Sequence, residues 1–144
     1  DFFISLIIYI GLMFWYKFFP NWRIVTIPLF LCLALFVALG TGFLISALNV
    51  KYRDFRYIIP FIVQFGLYIS PVGFSTSIVP EKWKLLYCLN PMVGVIDGFR
   101  WAILGENIPL YLPGLLSSII MSLILLIFGF KYFRKMEKAF ADVI

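Results

Sequence analysis

IVTIPLFLCLALFVALGTGFLISALNV, residues 24–50, runs for 27 residues without a charged side chain. About 20 apolar residues in a helix cross the hydrocarbon core of a bilayer, so this stretch is long enough to span a membrane. It is apolar all round rather than along one stripe, the pattern of a helix in lipid or inside a bundle. Three further charge-free stretches, 2–16, 57–80 and 107–130, lie between narrow clusters of charge. Of the four stretches, only 2–16 is too short to cross unaided.

The whole composition agrees with these segments. With 63% apolar residues, 20% aromatics and 13% charged residues, and a mean hydropathy of +1.02, 144 residues leave no polar coat for a water-soluble globule. The expected fold is therefore an all-α polytopic membrane helix bundle, a single transmembrane domain over 1–144. Four transmembrane helices are expected over about 2–19, 24–48, 56–78 and 110–132. An external segment, 80–109, should carry two short re-entrant or interfacial helices, and 133–144 forms a cytoplasmic tail. The chain opens at Asp1 without an initiator methionine or a basic signal-peptide region, so it reads as the latter part of a longer protein.

Several chemistries are missing. There is no histidine, which removes imidazole acid–base chemistry and the common His-containing metal sites. The two cysteines, Cys32 and Cys88, have no metal-binding spacing and fall in different contexts, so neither a metal site nor a disulfide is expected. No phosphate loop of the G-x-x-x-x-G-K-[ST] type occurs, and any nucleotide site must lie outside this sequence. A net charge of +5 reads as membrane topology and not as nucleic-acid binding, because the bases flank the spans.

Those bases set the orientation. Lys51, Arg53, Arg56, Lys131, Arg134, Lys135 and Lys138 stand on one side, against Lys17, Arg23, Lys82, Lys84 and Arg100 on the other. The positive-inside rule places the richer side, with both ends of the chain, in the cytoplasm. Trp15, Tyr16, Phe18, Phe19 and Trp22 then make an aromatic belt at the outer boundary. The tail adds Phe133, Met136, Phe140 and Val143 opposite Arg134, Lys135 and Lys138, an amphipathic helix for the inner surface or a docking edge for a partner.

Two faces stand out within the spans. Ala34, Ala38, Gly42 and Ser46 recur every four residues and line one helix face with small side chains, the expected contact for another helix, in this chain or in a second copy. Tyr57, Phe61, Gln64 and Tyr68, with Phe65 beside them, share a face of the third span. That stripe has two readings, a wet sugar-contacting wall or ordinary interhelical packing. Pro71 and Gly73 should kink or stop the helix before the outer surface.

The external segment is too apolar for a surface loop. Residues 85–96 carry no charge, too few to cross but enough for a re-entrant or interfacial helix. Asn90 is a natural helix cap and Pro91 a natural first helical residue, so a second short helix should start there and end near Leu104, before Gly105. On it Asp97 and Arg100 are three apart and positioned to pair. No nucleophile–base constellation accompanies the few acids.

The run LNVKYRDFRYIIPFIVQFGLYISPVGFSTSIVPEKWKLLYCLNPMVGVIDGFRWAILG, residues 48–105, carries a resemblance. Its marks are the YRD element Tyr52–Arg53–Asp54, the Ser70–Pro71 break, Val79–Pro80–Glu81–Lys82–Trp83, and Asn90–Pro91 followed by Gly98–Phe99–Arg100. Together they resemble the permease subunit of bacterial ABC exporters of cell-surface polysaccharide, the O-antigen, capsule and teichoic-acid group of type-2 exporter permeases.

The resemblance implies the last four of six spans of a non-enzymatic transport subunit in the bacterial inner membrane. It implies a homodimer moving lipid-linked glycan outward among membrane lipids. No cofactor is implied on this chain; ATP and Mg belong to a partner ATPase subunit. It casts Lys51, Tyr52, Arg53, Asp54 and Arg56 as the ATPase-facing loop. It casts the helices bearing Trp83, Asn90, Pro91, Asp97, Arg100 and Trp101 as an external gate. The channel-wall reading of Tyr57, Phe61, Gln64, Phe65 and Tyr68 comes from the residues and not from the resemblance. Two alternatives stay open: a type-2 exporter of drugs or small lipids, and a membrane enzyme acting on polyprenyl-linked sugars.

Overall fold

The computed structural model describes residues 2–18, 21–52, 54–105 and 109–141, and among them every regular element is helical. Phe19, Arg53, Glu106 and Val143, and the side chains of Lys138 and Phe140, lie outside the described residues. In order the helices are α1 (Phe2–Trp15), α2 (Ile27–Lys51), α3 (Phe55–Ile69), α4 (Glu81–Tyr87), α5 (Pro91–Leu104) and α6 (Leu112–Ala141), with 3-10 turns at Trp22–Thr26 and Thr76–Ile78. Two segments, Trp22–Lys51 and Leu112–Glu137, are long and apolar enough to cross a membrane. At 14 and 15 residues, α1 and α3 are shorter apolar helices.

The folded centre is α2, α5 and α6. Leu33, Val37 and Val95 are buried together, with Met92, Phe99, Leu115 and Ile119 packed around them. Farther along, Phe43 meets the rings of Phe130 at 5.7 Å and Phe133 at 5.6 Å. Contacts therefore advance along both helices in the same sense, and α2 and α6 run parallel. Their backbones touch where glycines face each other, because a Cβ on Gly129 would overlap the carbonyl oxygen of Gly40 and one on Gly40 would meet the backbone of Leu125 and Leu126. Close approach of this kind is what small residues permit between membrane helices.

This contact uses a different face of α2 from the small-residue stripe. Within the chain α2 buries Phe30, Leu33, Val37, Gly40 and Ala47, roughly the opposite side of the helix from Ala34, Ala38, Gly42 and Ser46. Ala34 reaches the core margin, but Ala38, Gly42 and Ser46 are exposed, and a Cβ on Gly42 would meet nothing within 4 Å. One glycine on each helix suffices for the crossing, and the larger residues around it supply the buried area.

The continuous helix of the third span stops where Pro71 is expected to break it: it ends at Ile69, Ser70 turns extended, and residues 70–78 continue as turns. The first helix ends at Trp15 and is followed by Lys17 at φ 52. Helix α6 runs unbroken from Leu112 to Ala141, so residues 133–141 of the tail continue it.

Since α2 and α6 are parallel and α3 leads from the far end of α2 to residues packed beside the near ends of both, α3 and the turns after it run back along the bundle in the opposite sense. It contributes no buried residue, and α1 is exposed along its length, at Ile7, Ile8, Phe14 and Trp15 among others.

Candidate functional site

The break after α3 and the α4–α5 hairpin form one polar cluster in an otherwise apolar protein. Local chemistry fixes the hairpin first. Asn90 adopts extended backbone and its side chain accepts from the Met92 N–H, while Pro91 occupies the first helical position, where its missing N–H costs nothing. At the other end Gly105 leaves the helix at φ 74. The hairpin's turn is docked on α6, where the Ser117 hydroxyl donates to the Cys88 carbonyl at 3.1 Å. The Gly94 N–H donates to Ser118 Oγ at 3.1 Å, and Ser118 is fully buried.

Four side chains of the hairpin then reach the broken segment. Tyr87 donates its hydroxyl hydrogen to the Ile69 carbonyl at 2.6 Å, and Asn90 Nδ2 donates to Ser70 Oγ at 3.1 Å. Arg100 donates through Nη1 to the Phe74 carbonyl at 2.7 Å and through Nη2 to the Val72 carbonyl at 3.0 Å. Thr76 donates to Asp97 Oδ2 at 2.6 Å. A helix end and a proline leave backbone carbonyls without intrahelical partners; here Arg100 and Tyr87 satisfy three of them.

The expected Asp97–Arg100 pairing is secondary. Their charged atoms approach only to 3.9 Å, outside hydrogen-bond range, and each has a shorter bond to the broken segment. Burial pushes the Asp97 carboxyl above the ordinary carboxylate value, while the Thr76 hydrogen bond and the charges of Arg100 and Lys84 pull it back. Burial likewise raises the Cys88 thiol, which disfavours the nucleophilic thiolate.

The other residues of the external segment lie around this cluster. Arg23, from the turn before α2, stacks over the Trp101 ring at 5.0 Å, and Lys84 over Tyr111 at 4.6 Å. Trp83 is exposed, with Lys82 over its ring at 5.9 Å.

Tyr57, Phe61, Phe65 and Tyr68 are all well exposed on α3 and make one open aromatic face. Gln64 stands between that face and a groove of about 630 Å³ between α3 and the start of α5, lined by Pro60, Val63, Gln64, Leu67, Asn90 and Met92 among others. Gln64 thus belongs to both the stripe and the open groove, whose lining includes none of the four aromatics.

At the opposite end of the bundle, Lys51 closes α2 with its ammonium 5.1 Å from the Tyr52 ring centre, and Asp54 precedes α3. Tyr52, Asp54 and Arg56 are exposed there. No group of three or more potential metal ligands occurs among the described residues.

The periodicity of the sequence missed Thr76, Tyr87, Ser117 and Ser118. Their partners lie 18 to 30 positions away, beyond what helical spacing can reveal. Ser70 and Ser118 are buried polar residues, and polar side chains within apolar stretches were the available signal.

Residues 1–104 match the model of the family described as ABC-2 type transporter. The chain is similar to the O-antigen export system permease protein RfbA of Myxococcus xanthus, 25% identical over 127 residues, which cover 87% of this chain and 48% of that protein. A protein of the same name from Klebsiella pneumoniae is 24% identical over 118 residues, 82% of this chain and 45% of the relative. The inner membrane transport permease YadH of Escherichia coli strain K12 is 34% identical over 88 residues, 60% of this chain and 33% of the relative. The chain therefore spans less than half the length of these relatives.

Proposed function

The chain belongs to the ABC-2 type transporter family, and from that premise we propose that it is part of the membrane-spanning subunit of an ATP-driven exporter of lipid-linked polysaccharide. The family is one of transport membrane subunits, so hydrolysis belongs to a separate ATPase subunit carrying ATP and Mg. In this reading α1 and α3 join Trp22–Lys51 and Leu112–Glu137 as spans of the cytoplasmic membrane, the Lys51–Arg56 loop and the end of α6 face the cytoplasm, and two copies enclose the path. The α4–α5 hairpin is the external gate.

The observation that carries the reading is the latch of Tyr87, Asn90, Asp97 and Arg100 on the break in α3. It holds two helices too short to span, one of 7 and one of 14 residues, against the point where a spanning path is interrupted. Irregular backbone at membrane depth is tolerated where protein buries it or a cavity borders it, and here both a groove and the hairpin adjoin it. The open aromatic face of Tyr57, Phe61, Phe65 and Tyr68, with Gln64, suits sugar faces, which stack on aromatic rings without strict recognition of one sugar. Glycan as cargo is supported by the relatives named for O-antigen export, similar over 82–87% of this chain.

A second reading, an exporter of another cargo such as drugs or small lipids, rests on the similarity to YadH, 34% identical over 88 residues and named a transport permease without a cargo. Purifying the tagged full-length permease from its own cells tests the first reading. An ABC ATPase should co-purify, and its deletion should abolish surface glycan. Glycan still reaching the surface without that ATPase contradicts the proposal.

A further inference from the structure

We infer that the end of α6 seats an anionic phospholipid: Lys131, Arg134 and Lys135 hold its headgroup, and its acyl chains lie along the exposed apolar face of the same helix. Positions 131, 134 and 135 fall on one helix face, and with Phe130 they line an open concavity of about 510 Å³. This face points away from α2, which meets α6 through Gly129, Phe130 and Phe133. Arg134 is drawn over the Phe130 ring at 5.7 Å. Among the described residues the single ion pair is Arg100 with Asp97, so no described carboxylate, Glu137 included, lies within 4.0 Å of the three cations.

The same face continues upward as Leu116, Ile120, Leu123, Ile124 and Ile127, all exposed. From residue 112 to residue 130 the helix rises about 28 Å, close to the ~30 Å hydrocarbon core. From Lys131 to Lys135 it rises about 6 Å, which matches the interfacial layer of one leaflet, ~5–8 Å. The basic cluster thus has the depth of one headgroup layer, and the half of the apolar face next to it, about 14 Å, has the depth of one leaflet's acyl chains, half of the ~30 Å core.

Depth and charge select this occupant. A peripheral ATPase would have to enter the headgroup layer to meet Lys131. A second copy meeting this face across a two-fold axis would set three cations against three. An anionic headgroup supplies the missing charge, each base near such a surface being worth about fivefold in affinity. The assignment rests on the reading that α6 crosses the membrane; placing the lipid in the inner leaflet rests further on the proposed orientation.

Native mass spectrometry of the full-length permease tests it, with the protein equilibrated in detergent with equal amounts of phosphatidylglycerol and phosphatidylcholine. Wild type is expected to retain phosphatidylglycerol in preference by tenfold or more. The triple variant Lys131→Gln, Arg134→Gln, Lys135→Gln should lose that preference, and Lys82→Gln with Lys84→Gln should keep it. Should the triple variant fail to fold, Arg134→Gln alone should lower retention about fivefold and Arg134→Lys should restore it. No preference in wild type, or an undiminished one in the folded variants, overturns the assignment. So does loss of a second copy or of the ATPase from the triple variant with lipid retention unchanged. Because neither ATP nor glycan enters the measurement, its failure would leave the export reading standing, and failure of export would leave this result standing.

Discussion

Arg100 donates a hydrogen bond to the backbone carbonyl of Phe74 at 2.7 Å, across 26 positions of sequence. With its second bond to Val72, one guanidinium closes two carbonyls that the break after α3 leaves open. A fork of this geometry belongs to arginine, since a lysine ammonium is a single point charge. Arg100→Ala is expected to release residues 70–78. Charged hydrogen bonds are worth about 1.5–3 kcal/mol each, so amide exchange there should accelerate by an order of magnitude or more, and Arg100→Lys should recover only part. Hydrogen–deuterium exchange on the full-length permease checks this, and unchanged exchange would mean that α5 and the break are held by other contacts.

Asp97 predicts a pH dependence of opposite sign to the usual carboxylate. Burial holds its folded pKa above the unfolded value. The contribution to stability is therefore fully present below the unfolded pKa, about 3.9, and is lost as pH rises through the folded pKa. Asp97→Asn keeps an acceptor for Thr76 and removes the charge, so it should flatten that slope, whereas Asp97→Leu leaves the Thr76 hydroxyl unpartnered and should destabilise at every pH. Thermal unfolding in detergent from about pH 4 upward distinguishes them; a wild-type contribution that grows with pH would show that the charged form is the one stabilised.

Gly129 predicts an asymmetry between two faces of α2. Gly129→Leu pushes into the Gly40 carbonyl and should cost about 1–3 kcal/mol, the usual range for overpacking. Gly42→Ala meets nothing within the chain and should be neutral or stabilise by up to about 1 kcal/mol, alanine being the better helix former. Comparable destabilisation by both in the full-length protein would mean that the Ala34–Ser46 face is covered by a helix beyond those described.

For the open face of α3, Tyr68→Ala and Gln64→Leu should each lower glycan export several-fold while the subunit still inserts and assembles. Quantitative blotting of surface glycan beside membrane abundance is the measurement. Normal export in both variants would return these residues to ordinary packing. Charge reversal at Arg56 should raise ATP hydrolysis without transport if the loop couples the two.

The sequence was most legible where chemistry is local. Asn90 and Pro91 announce the start of α5, Pro71 the stop of α3, and the long uncharged runs announce α2 and α6, because caps, proline and apolar length each act within a few residues. It was least legible where distant residues meet. Helical spacing pairs Asp97 with Arg100, but folding gives each a nearer partner 21 to 28 positions away. The small residues every four positions lie mostly off the α2–α6 contact, where Gly40 and Gly129 meet among larger neighbours. The exposed faces of α1 and α3 depend on what surrounds them, which no periodicity encodes.

The central claim, an ATP-driven subunit that exports lipid-linked glycan, is tested most directly in proteoliposomes containing the full-length permease, its co-purified ATPase and a polyprenyl-linked oligosaccharide. The account predicts that ATP with Mg moves the glycan to the opposite leaflet, measured by its accessibility to an impermeant glycosidase, and that a non-hydrolysable ATP analogue does not. Glycan that stays in place during active hydrolysis, or crosses equally without ATP, would contradict it.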